Sequence, residues 1–196
     1  MKKIEIIWRE LLYQSLEKGN KRFSQKEVSA KFGFSTSTVF QALKPLRKMG
    51  AARVGGRGFV LEDPEKLVYH WASVRDLEKD IIFKGSLDLP VFEIEGSMPA
   101  GTVYGGFSAA RYILGEAPSD YDKVYVYRQD PEEIKKRFVF GKGRQNLFIL
   151  KADEFLPGYG GVTPLGQTFV DLWNMPEWYA KDFIKALKEK IDGLLS

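Results

Sequence analysis

The stretch KFGFSTSTVFQALKPLRKMG, at residues 31–50, carries small hydroxyls, an amide and cations at helical spacing. Hydroxyls inside a helix compete for backbone hydrogen bonds, so a helix that served only a core would gain nothing from them. In a helix that lies in the major groove, hydroxyls and a glutamine amide contact phosphates and base edges, while Lys and Arg contact phosphates or guanine. The candidate DNA-contacting residues of this stretch are therefore Thr36, Ser37, Thr38, Gln41, Lys44, Arg47 and Lys48.

A second group of candidate contacts lies in AARVGGRGFVLED, residues 51–63, where two short β-like runs flank a glycine-rich centre. Glycines at that centre permit the positive φ angles of a tight hairpin. Arg53 and Arg57 would lie on the hairpin, and Arg57 at its tip would reach the DNA backbone or the minor groove. A cation-rich face that contacts only solvent is the alternative interpretation of these residues.

Acidic residues further along the chain permit a different chemistry. Gly105-Gly106 is followed, after thirteen residues, by Asp120-Tyr121-Asp122, and Asp153 follows a later apolar run. The spacing of the first two motifs is similar to that of nucleotidyltransferases, in which paired carboxylates bind two Mg²⁺ ions that hold the phosphates. Two features oppose a catalytic role: Lys123 would place a cation beside the metal, and Pro118-Ser119-Asp120 is also typical of an ordinary turn. We therefore predict no catalytic residues, with Asp120, Asp122 and Asp153 as the alternative.

The composition excludes several other classes of site. The chain has no cysteine and one histidine, His70, which rules out disulfides, thiolate zinc sites and a histidine-rich metal site. Neither a P-loop nor a dinucleotide-binding glycine motif is present. We expect no cofactor and no metal, and we expect His70 to be a packing residue.

Charge is distributed unevenly along the 196 residues. Residues 1–62 hold 13 Lys and Arg against 5 Asp and Glu, a balance of +8, whereas residues 63–196 hold 17 against 21, a balance of −4. A basic segment followed by a mildly acidic one indicates that the first meets a polyanion. No apolar run approaches the roughly 18–20 residues that cross a bilayer, and the N-terminus does not resemble a signal peptide. We expect a cytoplasmic protein with double-stranded DNA as its partner and no membrane contact.

Three helices and a hairpin are predicted in residues 1–62. Apolar residues from Ile4 to Leu16 recur at helical spacing and predict a helix over about residues 3–17. Ser24 and Glu27 form a capping-box pattern for a second helix. Ser35 can cap a third helix, in which Val39, Ala42, Leu43 and Leu46 form an apolar stripe.

The order helix, helix, turn, helix, hairpin resembles that of the winged helix-turn-helix superfamily, and the resemblance covers nearly all of residues 3–62. It implies a transcriptional regulator whose third helix reads DNA. Some members of that superfamily make only protein contacts, so a protein-interaction module is a second alternative.

The remaining chain is predicted as a connector helix over residues 63–80 and an α+β regulatory or partner-binding domain over 81–196. Helices are predicted at 107–114, 164–175 and 176–195, the last with Trp178, Phe183, Ile184, Leu187 and Ile191 in register. Strands are predicted in DKVYVYRQ, KRFVFGKG and NLFILKAD, the last two joined by the hairpin loop GKGRQ. A ligand pocket lined by Tyr and Phe, with Arg111 or Arg128 as an anchor, is also consistent with this composition.

The runs TVYGGFSAARYILG, PSDYDKVYVY and QTFVDLWNMPEWYAKDFIKAL are similar to the C-terminal domain of AbiEi-type antitoxins of type IV toxin–antitoxin pairs. This resemblance covers about residues 98–190, and that family also begins with a winged helix. It implies an antitoxin that represses its own operon and contacts a cognate toxin or a second copy of itself. The fold class is thus α+β, with a winged helix-turn-helix followed by a mixed domain of nucleotidyltransferase-like shape. The rival function is a Mg²⁺-dependent nucleotidyltransferase with an accessory winged helix.

Overall fold

The computed structural model describes residues 1–196 and has a mixed α+β fold. Its first part contains three α-helices and three short strands. They are α1 (Lys3–Leu12), β1 (Arg22–Phe23), α2 (Gln25–Phe32), α3 (Thr36–Lys48), β2 (Ala52–Gly55) and β3 (Gly58–Leu61). A turn of π-helix, Tyr13–Glu17, extends α1, so the helical segment reaches the predicted end at residue 17.

Both predicted serine caps are confirmed. Ser24 Oγ accepts a hydrogen bond from the Glu27 backbone N–H at 3.1 Å, and the Glu27 carboxylate accepts one from the Ser24 N–H at 3.2 Å. Ser35 Oγ accepts a hydrogen bond from the Thr38 N–H at 3.1 Å. These side chains satisfy backbone donors that the first turn of a helix leaves without a partner.

The three strands of the first part form one antiparallel sheet in the order β1-β3-β2. Gly55 pairs with Gly58, which closes the predicted hairpin around Gly56 and Arg57. The register aligns Arg22 of β1, Val60 of β3 and Arg53 of β2 in one row across the sheet.

The second part contains six α-helices around a mixed sheet. Its helices are α4 (Pro64–Val74), α5 (Val91–Gly96), α6 (Gly106–Leu114), α7 (Glu132–Arg137), α8 (Leu165–Trp173) and α9 (Ala180–Leu195). Its strands are β4 (Ile81–Gly85), β5 (Val103–Gly105), β6 (Val124–Arg128) and β7 (Leu147–Lys151). The sheet order is β4-β7-β6-β5, in which β6 and β7 are parallel and the other two pairs are antiparallel.

The predicted strand in KRFVFGKG is wrong, and so is the hairpin that would join it to NLFILKAD. Helix α7 ends at Arg137, Phe138 is extended, and residues 138–140 belong to no strand. The apolar residues of the segment pack without pairing: Phe138 is buried and Phe140 packs against Phe83, whereas Val139 is exposed. Because β4 and β6 flank β7 on both sides, this segment cannot pair with β7 as the predicted hairpin requires.

Trp178 is also misplaced in the prediction. Helix α9 begins at Ala180, so Trp178 precedes it and is 74% exposed. The apolar stripe of the helix itself is as predicted, because Phe183, Leu187 and Ile191 are buried.

A hydrophobic cluster of 40 buried residues runs through both parts of the chain. It contains Ile7 and Leu11 of α1, Leu43 of α3, Trp71 of α4 and Phe169 of α8. The predicted connector region therefore supplies a core helix. His70 of α4 lies edge-on to Trp8 with ring centroids 5.1 Å apart, as expected for a packing residue, and burial lowers its pKa. A second cluster of eight residues fills the space between the mixed sheet, α5 and α7.

None of the helices combines the length and the apolar character that crossing a bilayer requires.

Candidate nucleic-acid interface

Helices α2 and α3 are joined by a short turn that fixes their relative direction. Gly33 ends α2 in the left-handed conformation, with φ of 63°, which glycine adopts without the steric cost of a Cβ. Phe34 and Ser35 complete the turn, and the Ser29 hydroxyl donates to the Phe34 carbonyl at 2.5 Å. The cap at Ser35 then sets where α3 begins.

Helix α3 has one apolar and one polar face. Val39, Ala42, Leu43 and Leu46 are fully buried against the core. The exposed residues on the other side are Thr36, Ser37, Phe40, Gln41, Lys44, Arg47 and Lys48. Six of these seven are the candidate contacts identified from the sequence, and Phe40 adds an apolar side chain that is 42% exposed. Packing of the apolar stripe thus directs the candidate residues outward.

Thr38 is the candidate on α3 that lies differently. It is half-buried, its N–H donates to Ser35 Oγ, and its hydroxyl lies 2.9 Å from that same oxygen. These bonds give Thr38 a capping role at the start of the helix.

The hairpin sheet presents further cations beside α3. Arg57 lies in the exposed turn between β2 and β3, and Arg53 is exposed on β2. The Arg53 guanidinium pairs with the Glu62 carboxylate at 2.7 Å, which makes it the one predicted contact residue with an ion-pair partner. The remaining cations of the set keep their charge available to an external anion.

Arg22 is an exposed residue that the sequence interpretation missed. It belongs to the two-residue strand β1, and the register places it in the same row as Arg53. Arg22, Arg53 and Arg57 surround a hollow of about 230 Å³ on the sheet. The sequence signal was the KRFS run before α2, but its strand character depends on pairing with β3 and is not visible locally.

The acidic residues of the alternative interpretation do not come together. Asp120 and Asp122 precede β6, whereas Asp153 follows β7, and because these strands are parallel the two positions lie at opposite ends of the sheet. Asp122 accepts hydrogen bonds from Tyr179 at 2.5 Å and from Arg144 at 2.9 Å, and Asp153 accepts two from Arg9, each at 2.7 Å. No group of three acidic or histidine side chains is arranged to hold a metal ion.

Packing accounts for the glycine pair of the same motif. A Cβ on Gly105 would lie 2.8 Å from the Tyr127 ring, and one on Gly106 would lie 2.6 Å from Met175 Cε. Gly106 also has a φ of 52°. The start of α6 therefore needs both glycines for its close approach to β6 and to Met175.

The Lys123 ammonium group pairs with Glu177 and not with the candidate carboxylates Asp120 and Asp122. It forms an ion pair with Glu177, which also accepts a hydrogen bond from the Tyr125 hydroxyl at 3.3 Å. Burial and the Glu177 charge raise the pKa of Tyr125. This group of side chains joins β6 to the segment before α9.

Comparison with protein-family models, with curated proteins and with solved structures finds no match to this chain. Its function is therefore inferred from its own residues and their geometry.

Proposed function

We propose that residues 1–62 constitute a winged helix-turn-helix that binds double-stranded DNA, and that the chain is a cytoplasmic transcriptional regulator. The observation that carries this proposal is the outward face of α3, where hydroxyl, amide and cationic side chains lie together without ion-pair partners. The sheet order β1-β3-β2, with its hairpin directly after α3, supports the assignment of β2 and β3 as the wing.

In this proposal the first turns of α3 enter the major groove. Thr36 and Ser37 contact phosphates or base edges, and the Gln41 amide forms a pair of hydrogen bonds with an adenine. Lys44, Arg47 and Lys48 lie further along the same face, where they neutralise phosphates. The apolar stripe on the opposite face holds the helix against the core, so these side chains are presented by a rigid element.

The wing supplies the second set of contacts. Arg57 at its exposed turn reaches the backbone or the minor groove, and Arg22 contributes from the outer face of the same sheet. Contacts to phosphates supply most of the affinity and make it fall steeply as salt is added.

The resemblance of residues 98–190 to AbiEi-type antitoxins extends the proposal. The chain would repress its own operon, and the second part would contact a cognate toxin or a second copy of the chain. Selection of genomic DNA fragments on the purified protein tests this extension directly. We expect enrichment of a site near the chain's own gene, and enrichment of unrelated loci alone would contradict autoregulation.

Two substitutions on α3 test the DNA-binding assignment. With a recovered site, Gln41→Ala should lower the preference for that site over unrelated duplexes by roughly 1–3 kcal/mol. Lys44→Ala should weaken binding to all duplexes and reduce the log–log salt slope by about 1. Fluorescence anisotropy at several salt concentrations measures both effects.

Lys190→Ala is the matched control, because Lys190 is an exposed lysine on α9, outside this face. It should leave affinity and salt slope unchanged. If Gln41→Ala and Lys44→Ala behaved like this control, α3 would not be the DNA-reading element.

A further inference from the structure

A hollow of about 360 Å³ lies in the second part of the chain, between α5, β5 and α6. Its lining combines three aromatic residues with a carboxylate, a guanidinium and a hydroxyl. These residues are Phe92, Glu95, Tyr104, Ser108, Arg111 and Tyr112. The volume falls in the range of small-molecule sites, which span roughly 300–1,000 Å³.

Glu95 and Arg111 form a fixed polar edge in this hollow. Arg111 Nη2 donates to Glu95 Oε2 at 2.6 Å, and the Tyr121 hydroxyl donates to Glu95 Oε1 at 2.7 Å. The other two nitrogens of the Arg111 guanidinium make no hydrogen bond, and its side chain is 34% exposed. A carboxylate oxygen accepts more than one hydrogen bond, so donor and acceptor capacity remain side by side.

Ser108 supplies a third polar group. The residue is 4% exposed and lines the hollow, and its Oγ has no hydrogen-bond partner. A buried hydroxyl without a partner costs free energy, so a bound molecule that paired with it would recover that cost. A serine hydroxyl can act as both donor and acceptor.

Two large aromatic side chains at the hollow are exposed to solvent. Phe92 is 67% exposed and Tyr112 is 75% exposed. The Arg111 guanidinium lies 5.0 Å from the centroid of the Phe92 ring, which holds that ring beside the polar edge. Large apolar side chains left in solvent beside convergent polar groups are a feature of ligand sites.

We propose that this hollow binds a neutral, flat heterocycle of the nucleobase class, presented as a nucleoside. Such a ring offers a π-face to Phe92 and Tyr112, and base–aromatic stacking tolerates many ring types. Its edge carries adjacent hydrogen-bond donors and acceptors, which match Glu95 and the free N–H groups of Arg111. The site is independent of the DNA-binding face on α3.

The polar edge offers a phosphate no net positive charge. Glu95 is 7% exposed and its carboxylate accompanies Arg111, so the pair is neutral overall. An anionic group would meet the Glu95 charge in a partly desolvated position, where charge repulsion is strong. A neutral nucleoside should therefore bind better than the corresponding monophosphate.

Isothermal titration calorimetry of the full chain tests the proposal with adenosine, inosine, cytidine and uridine as probes. We expect at least one of them to bind, ribose alone not to bind, and the monophosphate of the bound nucleoside to bind less tightly. Phe92→Ala and Tyr112→Ala should each weaken that binding about tenfold or more. Trp178→Ala, which removes an equally exposed aromatic outside the hollow, is the matched control and should leave binding unchanged.

Ser108→Ala separates binding from folding. Because its hydroxyl makes no hydrogen bond of normal geometry within the chain, the variant should unfold at the same urea concentration as the parent or a higher one, yet bind the nucleoside severalfold more weakly. Failure of all four nucleosides to bind at millimolar concentration would overturn the proposal. Binding that Phe92→Ala, Tyr112→Ala and Ser108→Ala all left intact would overturn it as well, since the ligand would then lie elsewhere.

Discussion

Three arginines on the outer face of the hairpin sheet differ in whether an acidic side chain already pairs with them. Arg53 shares its charge with Glu62, whereas Arg22 and Arg57 are exposed and have no ion-pair partner. A cation that is already paired gives up part of that interaction when it meets a phosphate, so it gains less from the contact. In the proposed DNA complex, these three arginines should therefore contribute unequally to binding.

Alanine substitution of each arginine measures this inequality. We expect Arg22→Ala and Arg57→Ala each to reduce the log–log salt slope of duplex binding by about 1, and Arg53→Ala to reduce it by less. Anisotropy titrations at four or five salt concentrations give the slopes. Equal salt slopes for Arg22→Ala and the parent would show that Arg22, and with it β1, does not contact DNA.

Arg9 and Asp153 form a largely buried ion pair that joins the two parts of the chain. Arg9 is completely buried and donates to both carboxylate oxygens of Asp153. Burial acts to raise the pKa of Asp153, but the hydrogen bonds and the charge of Arg9 outweigh it and hold that pKa below its usual value. A carboxyl whose pKa is depressed in the folded state contributes stability above its unfolded pKa, near 3.9, and loses it as the pH falls through the folded value.

Asp153→Asn should therefore lower the free energy of unfolding at pH 7 by roughly 3–5 kcal/mol, because Arg9 is left buried without its partner. The difference from the parent should shrink between about pH 5 and pH 2, where the parent loses the same interaction. Urea unfolding across this pH range measures both effects. Glu154→Gln is the control, since Glu154 is exposed and has no ion-pair partner, and a constant difference across the pH range would contradict the assignment.

At the scale of elements, the hairpin of β2 and β3 depends on one glycine more than on its neighbours. Gly58 has a φ of 152°, and a Cβ there would lie 2.3 Å from the Phe23 carbonyl oxygen of β1. That distance is shorter than any van der Waals contact, and the atom it meets belongs to the backbone. Gly56, in the turn, has open space around it and no positive φ.

Gly58→Ala should destabilise the protein by about 1–3 kcal/mol and displace β1 from the sheet. Gly56→Ala, the matched control, should change stability by less than about 1 kcal/mol. Thermal unfolding followed by far-UV circular dichroism compares the two variants. Equal stability of the two variants would contradict this prediction, because it would mean that β1 moves away from residue 58 with no loss of stability.

At the scale of the whole molecule, the two parts of the chain share their core and their buried charges. The 40-residue cluster contains helices from both parts, and Arg75, after α4, contacts Glu5 of α1 at 3.4 Å and Asp171 of α8 at 3.3 Å. A Cβ on Gly166 of α8 would lie 2.9 Å from the Leu12 side chain, so these helices approach closely. Elements that share a core this way lose their packing together.

We therefore expect the chain to unfold in one cooperative transition. Tryptophan fluorescence and far-UV circular dichroism should give coincident urea curves. Two of the four tryptophans, Trp8 of the first part and Trp71 of the second, are buried and change environment on unfolding. Two separated transitions would mean that residues 1–62 are stable by themselves.

Residues close together in the sequence are enough to predict several local features of this protein. The serine caps, the apolar stripes of α1, α3 and α9, the glycine hairpin and the basic charge of residues 1–62 follow from neighbours a few positions apart, where periodicity and capping chemistry act. The hydroxyl, amide and cationic residue types of residues 31–50 also identify six of the seven exposed residues on α3. The strand predicted in KRFVFGKG is wrong, because its apolar residues suit an unpaired packed segment as well as a strand.

Which distant segments of the chain meet depends on the tertiary fold. The β4-β7-β6-β5 order places Asp153 at the opposite end of the sheet from Asp122, and pairing with β3 brings Arg22 beside Arg53. The Glu95–Arg111 hollow and the Arg9–Asp153 pair likewise join residues far apart in the chain. Such contacts are selected by the free energy of the whole packed core against the entropy of closing long loops, and no short window of sequence contains that balance.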